Sequence, residues 1–445
     1  MEDKKEFHRA LARTAVPITL QSLLQSSFSV VDQVMVGQLG SVSIAGIGLA
    51  SKFSSLYSVL VSAVAAAAGI MMAQYMGKKE LRESGKTFYV NLLLSLGIAA
   101  VFMGISCGVP GRMMSMYTED PLTREAAAGY LRILSVSFLP LAVSTMTSVY
   151  LRCRESAMLP LYSGILAAVL NTVLNYVLIF GKLGCPAMGA EGAALATLVS
   201  RCFDCIAIAA SFLWLQRRSG QRLPFLLRTG SGGWQLYAGI LFPILVCEFF
   251  WSLGENVYAS IYGHMGTQSC AAMTLTGPVQ VLMMGAMTGL SQGAGILVGK
   301  SLGRGEYEKA YGESRCLMKY GAAGSLLLSL ILAVVSIRYV QVYQVEETVR
   351  LTAQQLLIVF ALISPVKVQN MILGGGIIRS GGRTNYIMAI DLTGTWLFGV
   401  PLGLLGAFVL QLPITWVYFL LSLEECVRLL ISIGVFRSRR WMKSL

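Results

Sequence analysis

Apolar runs of about 20 residues follow one another along the whole chain, separated by short polar links that are mostly basic. At ~1.5 Å of rise per residue each run is long enough to cross the ~30 Å hydrocarbon layer of a bilayer. The pattern predicts helices near 15–37, 48–75, 88–109, 126–150, 159–181 and 189–215, and a second set near 236–262, 269–299, 317–340, 352–377, 385–410 and 413–436. None of the runs shows the alternation over about 10 residues that marks a membrane β-barrel strand. With the N-terminus inside and the spans alternating, the outer links hold only Arg112, Arg124, Lys182, Arg338 and Arg350 of the 35 basic residues. That asymmetry is the positive-inside rule. It predicts an all-α polytopic protein with twelve transmembrane helices, multi-pass in the plasma (inner) membrane, with both termini cytoplasmic.

Composition supports this reading. The chain is 55% hydrophobic and 13% charged, against about 25% charged in soluble proteins, and its mean hydropathy is +0.66. A net charge of +13 suggests a nucleic-acid partner at first sight, but the cations sit in the links between spans, so the expected partner is the lipid bilayer. Nine cysteines are scattered; Cys202 and Cys205 form a CxxC inside an apolar run with no histidine near, so no metal or redox site is expected. The opening MEDKKEFHRALAR leads into a full-length span without a small-residue cleavage pattern, so no removable signal peptide is expected. The stretch GGGIIRSGG (374–382) has no preceding strand and no GKS or GKT, which excludes a phosphate loop. It is expected to allow close helix contact and a bend. No serine–histidine pairing is found and the two histidines, His8 and His264, fall outside the expected spans; the chain is not read as an enzyme, and no cofactor is implied.

The two sets of six spans are related by a direct repeat. At an offset of 226, Pro17 matches Pro243, Gly37 Gly263, Gly40 Gly266, Ser43 Ser269, Ala45 Ala271, Gly69 Gly295, Gly77 Gly303 and Glu80 Glu306; at 227, Arg152 matches Arg379. Six spans per unit give both halves one orientation, related by an axis along the membrane normal, with a substrate path between them. The expected organisation is a six-helix lobe over 1–215, a basic cytoplasmic linker over 216–233 and a six-helix lobe over 234–445 with a basic tail.

Polar residues inside spans carry the candidate chemistry. Gln21, Gln25, Ser29 and Asp32 share one face of the first span. A carboxylate within a span costs about 2.5–3.5 kcal/mol on insertion scales, so it is retained for a reason. Two readings stand: a hydrogen-bonded pin between helices, or a carboxylate that binds a proton or a sodium ion. Asn171 and Asn175, one turn apart in the fifth span, and Thr197 in the sixth are candidate partners, since their oxygens suit a small hard cation or a shared proton. Arg201 and Asp204, three residues apart, are expected to neutralise each other. In the second half, Glu248, Ser252 and Glu255 line one face of the seventh span beside Trp251, with Lys367 in the tenth span and Asp391 in the eleventh. Isolated buried charges are costly, so a Glu248–Lys367–Asp391 network is expected, either structural or binding cationic substrate and protons in competition, with Glu255 nearer the outer end.

With these segments in view, the chain resembles the multidrug and toxic compound extrusion (MATE) family, bacterial branch. The resemblance rests on VPITLQSLLQSSFSVVDQVMVGQLG, GIMMAQYMGKKE, NTVLNYVLIFGKLGCPAMGAEGAALAT, FPILVCEFFWSLGENVYASIYGHMGT, GILVGKSLGRGE and IIRSGGRTNYIMAIDLTGTWLFGVPLG, in that order. It implies two six-helix lobes in a V around a central cavity and efflux of amphiphilic organic cations in exchange for protons or sodium ions. It implies a cation site at Asp32, Asn171, Asn175 and Thr197, although some relatives carry an acid where this chain has Asn175. It also implies a substrate and charge network at Gln25, Glu248, Trp251, Glu255, Lys367 and Asp391. Relatives often have GGDT where this chain has GGRT, with Arg383 in place of the acid. A monomer is expected to suffice. Two other readings are a lipid-linked saccharide flippase of the same superfamily, which requires a strongly cationic cavity, and a membrane receptor or scaffold without transport.

Overall fold

A computed structural model describes residues 2–36, 38–39, 41–118, 120–219, 231–341 and 346–444. Gly37, Gly40, residues 220–230 of the expected linker, and the side chains of Ser29 and Ala271 lie outside the described residues. The described chain is helical nearly throughout: α1 (Glu2–Val36), α2 (Ser41–Gly77), α3 (Leu81–Gly108), α4 (Pro110–Ser115), α5 (Pro121–Val136), α6 (Phe138–Cys153), α7 (Met158–Phe180) and α8 (Gly189–Ser219) in the first half. α9 (Ser231–His264), α10 (Thr267–Gly303), α11 (Tyr307–Gln341), α12 (Glu347–Asn370), α13 (Thr384–Leu392), α14 (Val400–Leu404) and α15 (Ile414–Arg437) follow.

Among the described residues nine helices are long and apolar enough to cross a membrane, ten if the bent pair α5–α6 is one span. The chain is therefore an all-α, multi-pass membrane protein. The α5–α6 pair covers the span expected near 126–150 and bends by 44° at Ser137. Pro140 explains the break, since it has no N–H for the Val136 carbonyl and its ring would clash there. α15 covers the last expected span but carries Glu424, Glu425 and Arg428 in its apolar run.

The expected tenth and eleventh spans are less regular than apolar periodicity suggests. Met371–Ile378, Thr393–Gly399 and Leu405–Val409 form widened π-turns. Glycines at 374–376, 394, 399 and 406 fall in these turns, and a widened turn shifts the angular register of the residues on either side of it. Here those residues include Lys367, Arg379 and Asp391.

Contacts divide the chain into two compact units. One is Leu20–Met72 with Lys79–Gly230; the other is Met1–Thr19, Ala73–Lys78 and Ser231–Leu445. They are called the first and second unit below. The start of α1 and the end of α2 thus group with the helices of the second half. In the first unit α7 packs on α8 and α3 on α6, and Tyr57 stacks on Phe138 at 4.3 Å while donating its hydroxyl to the Phe138 carbonyl at 2.6 Å. At the start of α5, Asp120 caps the helix, accepting from the Thr123 amide at 3.0 Å and hydroxyl at 2.5 Å, and Pro121 opens the first turn. These donors hold the Asp120 carboxyl below the usual aspartate range.

In the second unit α10, α11, α12 and α15 enclose a core that includes Leu297, Leu317, Ile372 and Ile377. The ends of α2 and α10 meet at the repeat-related glycines. A side chain at Gly77 would run into the Lys300 carbonyl, and one at Gly303 into the Gln74 carbonyl. Gln74, fully buried, donates to the Ser380 carbonyl at 2.7 Å and the Lys443 carbonyl at 3.2 Å. Gly382 takes a positive φ of 71° in the turn that leads into α13, which is the bend expected of the glycine-rich stretch. Beyond α15 the tail folds back. Trp441 is fully buried, stacks on Phe436 at 5.8 Å and donates its indole N–H to the Phe436 carbonyl at 3.2 Å. Trp441→Ala is expected to destabilise the protein by about 3–5 kcal/mol, read as a lowered melting temperature of detergent-solubilised protein.

Candidate ion and charge sites within the two units

The first unit brings Asp32 together with the three polar residues singled out from the sequence. α1 presents the aspartate, α7 the two asparagines one turn apart, and α8 the threonine. Asn175, fully buried, donates its side-chain N–H to the Asp32 carboxylate and to Asn171 Oδ1 at 3.2 Å. Asn171 in turn donates to Thr197 Oγ1 at 3.5 Å and to Ser200 Oγ at 3.3 Å. Asp32 has a neutral amide as its partner, and no salt bridge to it occurs among the described residues. The Oδ1 atom of Asn175 is buried without a donor. A carboxylate beside an acceptor with no donor is an arrangement that a proton or small cation completes. Ser200 joins this chain without having been singled out; one turn along the same helix from Thr197, it was legible only by helical spacing.

On the same face of α1, Gln21 accepts from Arg152 at 2.8 Å and donates to the Pro160 carbonyl at 3.4 Å, whereas Gln25 is exposed. Arg201 and Asp204 do not neutralise each other. Arg201 donates to Ser137 at 2.8 Å and Asp204 accepts from Ser163 at 2.5 Å. Each is held by hydroxyls of neighbouring helices instead: Ser137 lies at the α5–α6 break and Ser163 on α7, and Ser144 of α6 also bonds the Asp204 carboxyl.

In the second unit Glu248, Trp251, Lys367 and Asp391 line one cavity of about 290 Å³, together with Arg379, Glu425 and Arg428. The expected direct Glu248–Lys367–Asp391 network is replaced by other pairings. Arg379 pairs with Glu248 at 3.7 Å, Lys367 with Glu425 at 3.9 Å, and Arg428 with Asp391 at 3.9 Å. Arg428 also reaches Glu424 at 3.4 Å and Glu425 at 4.0 Å. Glu255 lies apart, exposed, on a second cavity of about 320 Å³ with Tyr258, Lys367, Glu424 and Glu425. The residues missed are those of α15. Their signal was present in the sequence as EECVR, charges at helical spacing within an apolar run. The Arg379–Glu248 pair and the Arg152–Gln21 bond join positions 227 residues apart in sequence, with a carboxylate in the later pair where the earlier has an amide.

A multi-pass helical protein with a carboxylate–amide site in one unit and a buried charge cluster in the other belongs to the class of secondary membrane transporters. The MatE family model matches residues 17–177 and 243–405, and the chain is a member of that family. It is 24% identical over 434 residues to the uncharacterized transporter YisQ of Bacillus subtilis, covering 96% of this chain and 93% of that one. To the multidrug resistance protein MdtK of Yersinia pseudotuberculosis it is 24% identical over 445 residues, covering 95% and 94%. The fold matches a Vibrio cholerae MATE transporter, VcmN, with a TM-score of 0.89 at 16% identity over 99% of this chain and 100% of that one. A MOP superfamily transporter of Pyrococcus furiosus matches with 0.87 at 17% identity over 97% and 95%.

Proposed function

We propose that the protein is a secondary active antiporter that exports amphiphilic organic cations, drugs and dyes among them, in exchange for protons or sodium ions by alternating access. In this reading it has twelve spans in two six-helix lobes joined by a basic linker, has both termini in the cytoplasm and acts as a monomer. The observation that carries it is the Asp32–Asn175–Asn171–Thr197 chain, a carboxylate held by amides with one buried oxygen left without a donor. Ion binding there satisfies the carboxylate and the orphan oxygen at once, so it favours the arrangement in which the three helices are together. Coupling needs only that the exported cation favour a different arrangement. The name of the Yersinia relative, a multidrug resistance protein, supports the same substrate class. In the second unit the acids along the two cavities outnumber Lys367, Arg379 and Arg428, which disfavours a site for a pyrophosphate-linked saccharide. The test is uptake of ethidium by liposomes containing the purified protein, under a proton gradient and a sodium gradient imposed separately. Dissipation of one gradient alone should abolish uptake. Equal uptake with neither gradient would reject antiport.

A further inference from the structure

The charges around Arg428 do not balance. Three carboxylates, Asp391, Glu424 and Glu425, lie within 4.0 Å of its guanidinium, and among the described residues the one other cation that reaches them is Lys367, 3.9 Å from Glu425. Arg379 is engaged with Glu248. Three negative charges against two positive leave one in excess. Glu424, Glu425 and Arg428 are all more than nine-tenths buried, where an uncompensated charge is strongly disfavoured. Neutral donors are gathered around the same carboxylates: Tyr258 gives its hydroxyl to Glu424 at 2.5 Å, Cys247 its thiol to Asp391 at 2.7 Å, and Asn370 its amide to Glu425 at 2.8 Å. The remaining titratable groups on these cavities are Glu255 and Tyr262 of α9 and Tyr418 of α15; α10 and α11 contribute no charge to either lining. The space between the carboxylates is filled by a guanidinium, so no metal ion fits at its centre.

We infer that Asp391, Glu424 and Glu425 share one exchangeable proton around Arg428, and that this cluster forms a proton-holding site in the second unit, separate from Asp32. The cluster also links two spaces. Asp391 and Arg428 line the cavity with Glu248, Glu424 lines the cavity with Glu255, and Lys367 and Glu425 line both. Cys247 and Tyr258, one on each cavity, lie roughly 16 Å apart along α9. A proton taken up by Glu424 from the Glu255 side can pass to Glu425 and then to Asp391, and leave on the Glu248 side. Each transfer moves one proton between carboxylate oxygens and leaves the cluster charge unchanged. The Lys367–Glu425 pair lines both spaces, and its ammonium is the internal competitor for the shared proton.

The inference stands whether or not Asp32 couples transport, and its test separates the two. The carboxylic-acid C=O stretch is recorded by infrared spectroscopy on full-length protein in detergent near neutral pH, in water and in deuterium oxide. The wild type should show a deuterium-sensitive band for one buried acid of this cluster, and Asp32→Asn should keep it. Glu424→Gln, Glu425→Gln and Asp391→Asn should each abolish it, because neutralising any one of the three removes the excess charge. Lys367→Met should add a second such band, because it doubles the excess. Retention of the band in all three amide variants, or no gain in Lys367→Met, overturns the shared proton. Loss of the band in one amide variant alone assigns the proton to a single residue and overturns the sharing. Variants are compared at equal monodispersity, and the gain expected in Lys367→Met cannot arise from misfolding of an amide variant.

Discussion

Asp32→Asn is expected to lower gradient-driven efflux of ethidium from energised cells by at least about tenfold, with the protein still folded and inserted. Asparagine fills the same volume and still accepts from the Asn175 side chain, which is the bond seen at this position. It has no charge to hold a proton or a sodium ion. Ion binding then no longer distinguishes the transport states, and a tenfold loss corresponds to about 1.4 kcal/mol of coupling, within the ordinary range for two linked sites. Substrate binding itself should be retained, since the second unit holds its own charge sites. Undiminished, gradient-dependent export by Asp32→Asn would remove the aspartate from the coupling machinery and leave it as a pin between α1 and α7. Asn175→Ala serves as a companion: it leaves the carboxylate in place but takes away its amide partner, so it should change the apparent ion affinity without eliminating coupling.

The largest effect on stability is expected at Arg428. It is buried, donates to Thr395, and lies against three carboxylates. Arg428→Leu leaves those acids facing one another with Lys367 as their remaining cation. Removing one partner of a buried ion pair costs about 3–5 kcal/mol, which should appear as a marked fall in the melting temperature of the solubilised protein. Adding Glu424→Gln should recover part of the loss, because it removes one of the stranded charges. If the double variant melts no higher than Arg428→Leu alone, the cost lies in packing around the arginine stem and not in the charges.

Much of the fold was legible in the run lengths. Twenty apolar residues cannot leave their backbone groups unpaired in hydrocarbon, so each run is a helix whatever its neighbours are. The first-unit site was legible for a related reason. Asp32, Asn171, Asn175 and Thr197 each stand out as polar groups in apolar runs, and the two asparagines are placed on one face by the helical repeat alone. The charge pairs of the second unit were not legible in the same way. Glu248, Lys367 and Asp391 were visible as charges needing partners, but which partner each takes depends on how α9, α12, α13 and α15 face one another. The π-turns at 371–378 and 393–399 rotate the flanking residues away from the positions that regular winding would give them. The EECVR run was visible as sequence and was absorbed into an apolar span by average hydropathy.

What the sequence determined by itself is therefore the class of structure and the identity of the polar groups: helices across a bilayer, a repeat of proline and glycine positions, and a single carboxylate in the first span. These follow from the cost of unpaired backbone and of lone charges in hydrocarbon, which act on each segment separately. What only the tertiary structure decided is which groups meet: Asp32 with an amide, Arg428 with three carboxylates, Lys367 on the lining of two cavities, and Trp441 stacked on Phe436. The reason is that a charge in a low-dielectric interior is neutralised by whichever group lies within about 4 Å. Distances of that size are set by helix packing and by local π-turns, whose effect does not appear in the order of residues along any one helix.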